Sequence, residues 1–74
     1  MHWFDQLLRS WERDHPGRKM SIRKLADSAG VNQVTVQRFK RGKSVSTDTL
    51  SRIALVFEVS SGELLNMQQS YTDT

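Results

Sequence analysis

A chain of 74 residues holds one domain, 1–74, and buries only roughly 60% of the surface its unfolded form exposes. It has no cysteine, so disulfide staples and thiolate metal sites are excluded, and no apolar run approaches membrane-spanning length. The net charge is +3 and the start Met1-His2-Trp3-Phe4-Asp5 lacks the basic opening of a secretion signal, so a cytoplasmic protein is expected.

Five helices are predicted. In the first, Trp3, Phe4, Leu7, Leu8 and Trp11 form a stripe at helical spacing that ends before Pro16-Gly17. The two tryptophans could stack on bases, but in register with Leu7 they read as core. The second helix starts at Ser21, a good N-cap, and carries Ile22, Leu25, Ala26 and Ala29 on one face. Gly30 stands where a helix ends in a left-handed conformation. Two residues later Asn32 can cap a third helix, with Val31 and Val36 placed as a hydrophobic staple. One helix therefore stops and another starts within about three residues.

The third segment runs from Gln33 to Arg41, and its Val34, Thr35 and Val36 are poor helix formers. A strand is the rival, with Val34 and Val36 alternating and Arg41-Gly42 as a hairpin turn. The cap, the staple and the i, i+3 pair Val36 and Phe39 favour the helix, and no second strand follows. A fourth helix places Leu50, Ile53, Ala54 and Phe57 on one face behind Ser46 or Thr47 as cap. A fifth opens at Ser60-Ser61-Gly62-Glu63, a capping-box pattern between Val59 and Leu64. The polar stretch 68–74 is expected to fray.

Charge is segregated along this plan. From Arg18 to Lys43 eight cations face only Asp27, a local charge of +7; the remainder has three arginines against seven carboxylates, or −4. Such a basic segment suits a polyphosphate partner, because each neutralised phosphate releases counterions, although a merely solvated basic surface would look alike. The third helix discriminates. Opposite Val36 and Phe39 it carries Val34 and Arg41, flanked by Gln33, Gln37 and Arg38. Glutamine can pair bidentately with adenine and arginine with guanine, while a small apolar group suits the thymine methyl.

Ser21-Ile22-Arg23-Lys24-Leu25-Ala26, then Ala29-Gly30-Val31-Asn32-Gln33, then Arg41-Gly42-Lys43 resemble the lambdoid phage repressor and Cro type of helix-turn-helix, the XRE family. Leu50, Ile53-Ala54, Phe57, Val59 and Glu63-Leu64-Leu65 are similar to that family's fourth and fifth helices, so the resemblance covers about 20–65. It implies an all-α, five-helix, lambda-repressor-like fold whose third helix enters the major groove of double-stranded DNA, usually as a homodimer, in a small regulator such as a repressor. It also implies that Gln33, Val34, Gln37 and Arg38 read bases, while Ser21, Arg23, Thr35, Arg41 and Lys43 meet the backbone. Ile22 departs from the family, standing where a phosphate-binding glutamine is common. Glu58 stands where a helix-ending glycine is usual, and the His15-Pro16-Gly17 loop is longer than typical.

Nothing points to an enzyme, a cofactor or a metal. His2 and His15 have no metal-ligand spacing, the serines sit at helix starts, and the carboxylates are scattered. The rival function is protein binding: an antitoxin-like or regulatory module, with a protein partner held by Leu55 and the Leu64-Leu65-Met67 cluster.

Overall fold

The computed structural model describes residues 2–72. These form α1 (Trp3–Asp14), α2 (Ile22–Ala29), α3 (Gln33–Lys40), α4 (Thr47–Phe57) and α5 (Ser61–Thr72), and no strand occurs among the described residues. The third segment is therefore helical, and the strand alternative falls; it ends at Lys40, with Arg41 as its C-cap.

Side-chain acceptors mark the helix starts, each satisfying a backbone N–H that has no partner within the helix. Ser21 Oγ accepts from the Lys24 amide at 3.2 Å and Asn32 Oδ1 from the Val34 amide at 2.9 Å. Ser46 caps α4 by accepting from the Thr49 amide at 3.1 Å, which decides between Ser46 and Thr47. Ser60 Oγ accepts from the Glu63 amide at 3.1 Å, and its hydroxyl donates to Glu63 Oε1 at 3.3 Å. His2 adds a cap that the sequence does not advertise: its Nδ1 accepts from the Phe4 amide at 3.1 Å.

Three helices close in the same way, with a left-handed residue followed by an amide that reaches back five positions. Gly30 (φ +71°) precedes Val31 N–H to Ala26 O at 3.0 Å, and Gly42 (φ +85°) precedes Lys43 N–H to Arg38 O at 3.0 Å. The third is Glu58 (φ +59°), followed by Val59 N–H to Ala54 O at 3.1 Å. A residue with a Cβ takes there the conformation that glycine adopts without penalty.

The fully buried side chains come from every helix: Phe4 from α1, Leu25 from α2, Val36 and Phe39 from α3, Ile53 from α4 and Leu64 from α5. α2 packs against α3 and α4, while α5 packs against α4 and α1. Trp3 belongs to this core: its ring meets Phe4 and Phe39 edge-to-face, both at 5.4 Å between centroids. Trp11 packs against the core as well and stacks on His15 at 4.1 Å.

Two expectations change at the C-terminal end. Leu64 is fully buried, so it is core and unavailable to a partner. The stretch from Gln68 does not begin a frayed tail: α5 continues to Thr72, and Gln68 is only 5% exposed. Leu64 and Gln68 are one turn apart on α5, so burying the first carries the second inward. Asp73 and Thr74 lie outside the described residues.

Candidate nucleic-acid interface

The break between α2 and α3 creates the surface. Gly30 turns the chain in the left-handed region, and the Asn32 cap restarts a helix at Gln33. A Cβ on Gly30 would lie 3.4 Å from Arg52 Nη1, the far end of a flexible side chain, so backbone conformation rather than space demands glycine. Val36 and Phe39 then anchor α3 by one face, with 0% and 1% exposure, and the periodicity turns the remaining positions outward.

That outward face holds all four expected base readers. Gln33, Val34, Gln37 and Arg38 are exposed, Val34 by 61%. Gln33 and Gln37 are one turn apart, as are Val34 and Arg38, so the four side chains form two adjacent rows. Amide donors and acceptors, a guanidinium fork and an isopropyl group together match the chemistry of base edges in a major groove. The first turn of α3 also carries the positive end of the helix dipole, and its last turn carries Arg38 and Lys40 at the negative end.

The expected backbone contacts divide by location. Ser21 and Arg23 are exposed at the start of α2. The Ser21 oxygen accepts the Lys24 amide, and its hydroxyl keeps a proton to donate. Ile22 between them is half-buried against the core and brings no polar side-chain atom, so the polar donors at this end of α2 are Ser21, Arg23 and the early backbone amides. Arg41 and Lys43 are exposed just past α3. Lys40 turns instead to Asp5 on α1, with Nζ 3.9 Å from Oδ1.

Thr35 is half-buried and shares with Arg38 a cleft of about 260 Å³ whose other wall is Ser44, Val45, Ser46 and Thr49. In the sequence Ser44 to Thr47 signals only a helix start, with Ser46 or Thr47 as its cap, and nothing there or at Thr49 signals a place beside α3. In the structure Ser46 Oγ donates to Thr49 Oγ1 at 2.9 Å, and these hydroxyls border α3 from the start of α4.

The end of α3 is held from two sides by residues that sequence reasoning did not connect to it. Trp3 Nε1 donates to Lys40 O at 3.1 Å, across 37 positions. Gln68 Nε2 donates to Phe39 O at 2.9 Å and to Lys43 O at 3.0 Å. The helical register of Leu64 and Gln68 is the signal that could have found the second contact; nothing local to Trp3 announces the first.

Among the described residues no group of His, Asp or Glu could hold a metal ion, and no helix is long and apolar enough to cross a membrane. Comparison with curated proteins finds no match, and neither does comparison with solved structures. A family model described as a Cro/C1-type HTH DNA-binding domain matches residues 17–70, a longer stretch than the 20–65 over which the resemblance is legible by motif. That span takes in α2 through α4 and most of α5, including Gln68. With five helices, a glycine break between α2 and α3 and a polar exposed face on α3, the chain belongs to the Cro/C1-type helix-turn-helix DNA-binding domains.

Proposed function

We propose that this protein is a cytoplasmic transcriptional regulator, acting as a repressor, that binds a specific double-stranded DNA site as a homodimer with α3 in the major groove. The observation that carries the reading is the exposed face of α3. Gln33, Val34, Gln37 and Arg38 project from a helix whose other face is locked into the core by Val36 and Phe39. Arg23, Arg41 and Lys43 supply phosphate contacts around it, with Ser21 and Thr35 as neutral donors. Repression follows from occupancy, since a protein seated in a major groove excludes others from the same bases.

One helix reads only a few base pairs, so two copies multiply specificity. Leu55, 75% exposed on α4, with the partly exposed Leu65 and Met67 on α5, supplies apolar surface for the second copy. The same residues favour the second reading, in which an antitoxin-like or regulatory module holds a protein partner.

Selection from a random duplex pool tests both. The DNA reading predicts an enriched site of two symmetric halves centred about one helical turn, roughly 34 Å, apart. With three cations per protomer on phosphates, the log–log salt slope for a dimer should be roughly −5. A single asymmetric half-site at saturating protein would refute the dimer. Absence of salt-sensitive duplex binding would transfer the case to the protein-binding reading.

A further inference from the structure

Gln68 is the polar residue among the described positions that is buried with the core, and both protons of its amide are spent on main-chain carbonyls. Phe39 O lies in the last turn of α3, where a helix leaves carbonyls without a partner of their own. Lys43 O lies four residues further on, beyond the left-handed Gly42. Two acceptors facing one group require the amino end of the side chain, so the orientation follows from the partners. A single planar amide thus ties the end of the reading helix to the turn that follows it, and ties both to α5.

Short bonds within the turn complete the arrangement. The Gly42 amide donates to Phe39 O at 3.0 Å, and the Lys43 amide donates to Arg38 O at 3.0 Å. Phe39 O therefore accepts from the turn and from Gln68 at once. The turn is fixed at its start by its own backbone and at its end, Lys43 O, by Gln68. The side chains that leave this turn are Arg41 and Lys43, both exposed.

We infer that Gln68 is a positioning residue for DNA binding: it touches no DNA, and it holds the Arg41–Lys43 turn so that these cations meet the phosphate backbone at a fixed distance from the bases read by α3. The inference rests on the DNA-binding reading of α3. Preorganisation is its physical content, because a cation on a loose turn must be ordered at the moment of binding and affinity falls by that cost. Since phosphates are alike in every sequence, the loss should appear on specific and random duplexes alike.

The test is Gln68→Met, which keeps length and apolar volume but has no donor, combined in a double-mutant cycle with Lys43→Ala. Gln68→Met alone should weaken binding roughly tenfold on a selected and a scrambled duplex, a change of about 1.4 kcal/mol. In the Lys43→Ala background the same substitution should cost roughly threefold, the share that remains through Arg41, because residues that act as a unit are not additive. Fully additive losses would overturn the inference. In the free protein, hydrogen exchange of the Gly42 and Lys43 amides should speed up while that of Val36, at the other end of α3, stays as in the wild type. Uniform acceleration would assign Gln68 to general stability, none would show the turn to be held without it, and either result would overturn the inference.

This exchange measurement needs no DNA, so it separates a failed clamp from a failed DNA reading. If wild type binds no duplex, the reading falls and with it the positioning role, even where exchange shows the turn to be held. If Gln68→Met does not fold, the wild type decides. Its Gln68 side-chain amide protons should exchange far more slowly than those of the exposed Gln33 and Gln37, and equal rates would contradict the clamp.

Discussion

The two ends of α3 are built on different principles. At its N-terminal end everything is local: Gly30 turns the chain, Asn32 accepts the Val34 amide at 2.9 Å, and Gln33 and Val34 stand free in solvent. At its C-terminal end the local closure at Gly42 is reinforced by contacts distant in sequence, from Trp3 to Lys40 O and from Gln68 to Phe39 O and Lys43 O. On the function proposed for it, α3 needs both conditions. Its leading end has to be bare to enter a groove, and its trailing end has to be rigid to set depth and angle. The fold meets both by assigning capping to neighbours and clamping to α1 and α5.

Breaking the trailing end should have the largest effect. Phe39 is 1% exposed and meets Trp3 and Phe4 edge-to-face at 5.4 and 6.5 Å. Phe39→Ala should cost about 3–5 kcal/mol, measured by denaturant melting, because an aromatic ring leaves a cavity among rigid neighbours. Against the low end of an ordinary total of about 5–15 kcal/mol, much of the population would be unfolded at body temperature. Unchanged melting would mean that α3 is not anchored by this face.

The leading end should respond less. Asn32→Ala removes one local cap and should cost about 1 kcal/mol of stability, read by the same melts. A loss as large as that of Phe39→Ala would show the leading end to be held by more than its cap, and the contrast between the ends would fail.

The smallest effect sharpens the contrast from outside α3. The ends of α3 and α4 have the same closure, but α3 has Gly42 in the left-handed position and α4 has Glu58 at φ +59°. Relief of the left-handed strain is worth about 1–2 kcal/mol, and the greater freedom of glycine in the unfolded chain returns about 0.4–1 of it. Glu58→Gly should therefore stabilise by roughly 0.5–1 kcal/mol and leave duplex affinity unchanged. A destabilised variant would mean that the Glu58 side chain contributes more than its backbone costs.

The same division explains what was legible in the sequence. Ser21, Gly30, Asn32 and Ser46 signal through neighbours within a few residues, and the structure places the starts of α2, α3 and α4 and the end of α2 where those residues put them. The weak helix propensity of Val34, Thr35 and Val36 was overridden by burial of Val36 and Phe39, which the i, i+3 spacing already announces. The exposed rows of Gln33, Val34, Gln37 and Arg38 follow from that register. The register from Leu64 marks Gln68 as inward-facing, but its partners were not legible, because Gln68-Gln69-Ser70 reads as a solvated tail and the acceptors lie 25 and 29 positions away. Lys40 counts among the basic residues in the sequence, yet Asp5 lies beside it only once α1 packs near the end of α3. Leu64 could be assigned to a partner surface only while the position of α5 was unknown.

In the proposed function the exposed face of α3, from Gln33 to Arg38, reads bases while the turn after its trailing end meets phosphates. The most direct test titrates wild type, Gln33→Ala, Arg38→Ala and Lys43→Ala on a selected duplex and a scrambled one at several salt concentrations. Gln33→Ala and Arg38→Ala should each lose about 1–3 kcal/mol on the selected site and little on the scrambled one. Lys43→Ala should weaken both duplexes alike and reduce the log–log salt slope by about 1. Identical profiles for Gln33→Ala and Lys43→Ala on the two duplexes would contradict the account, because α3 would then hold DNA without reading it.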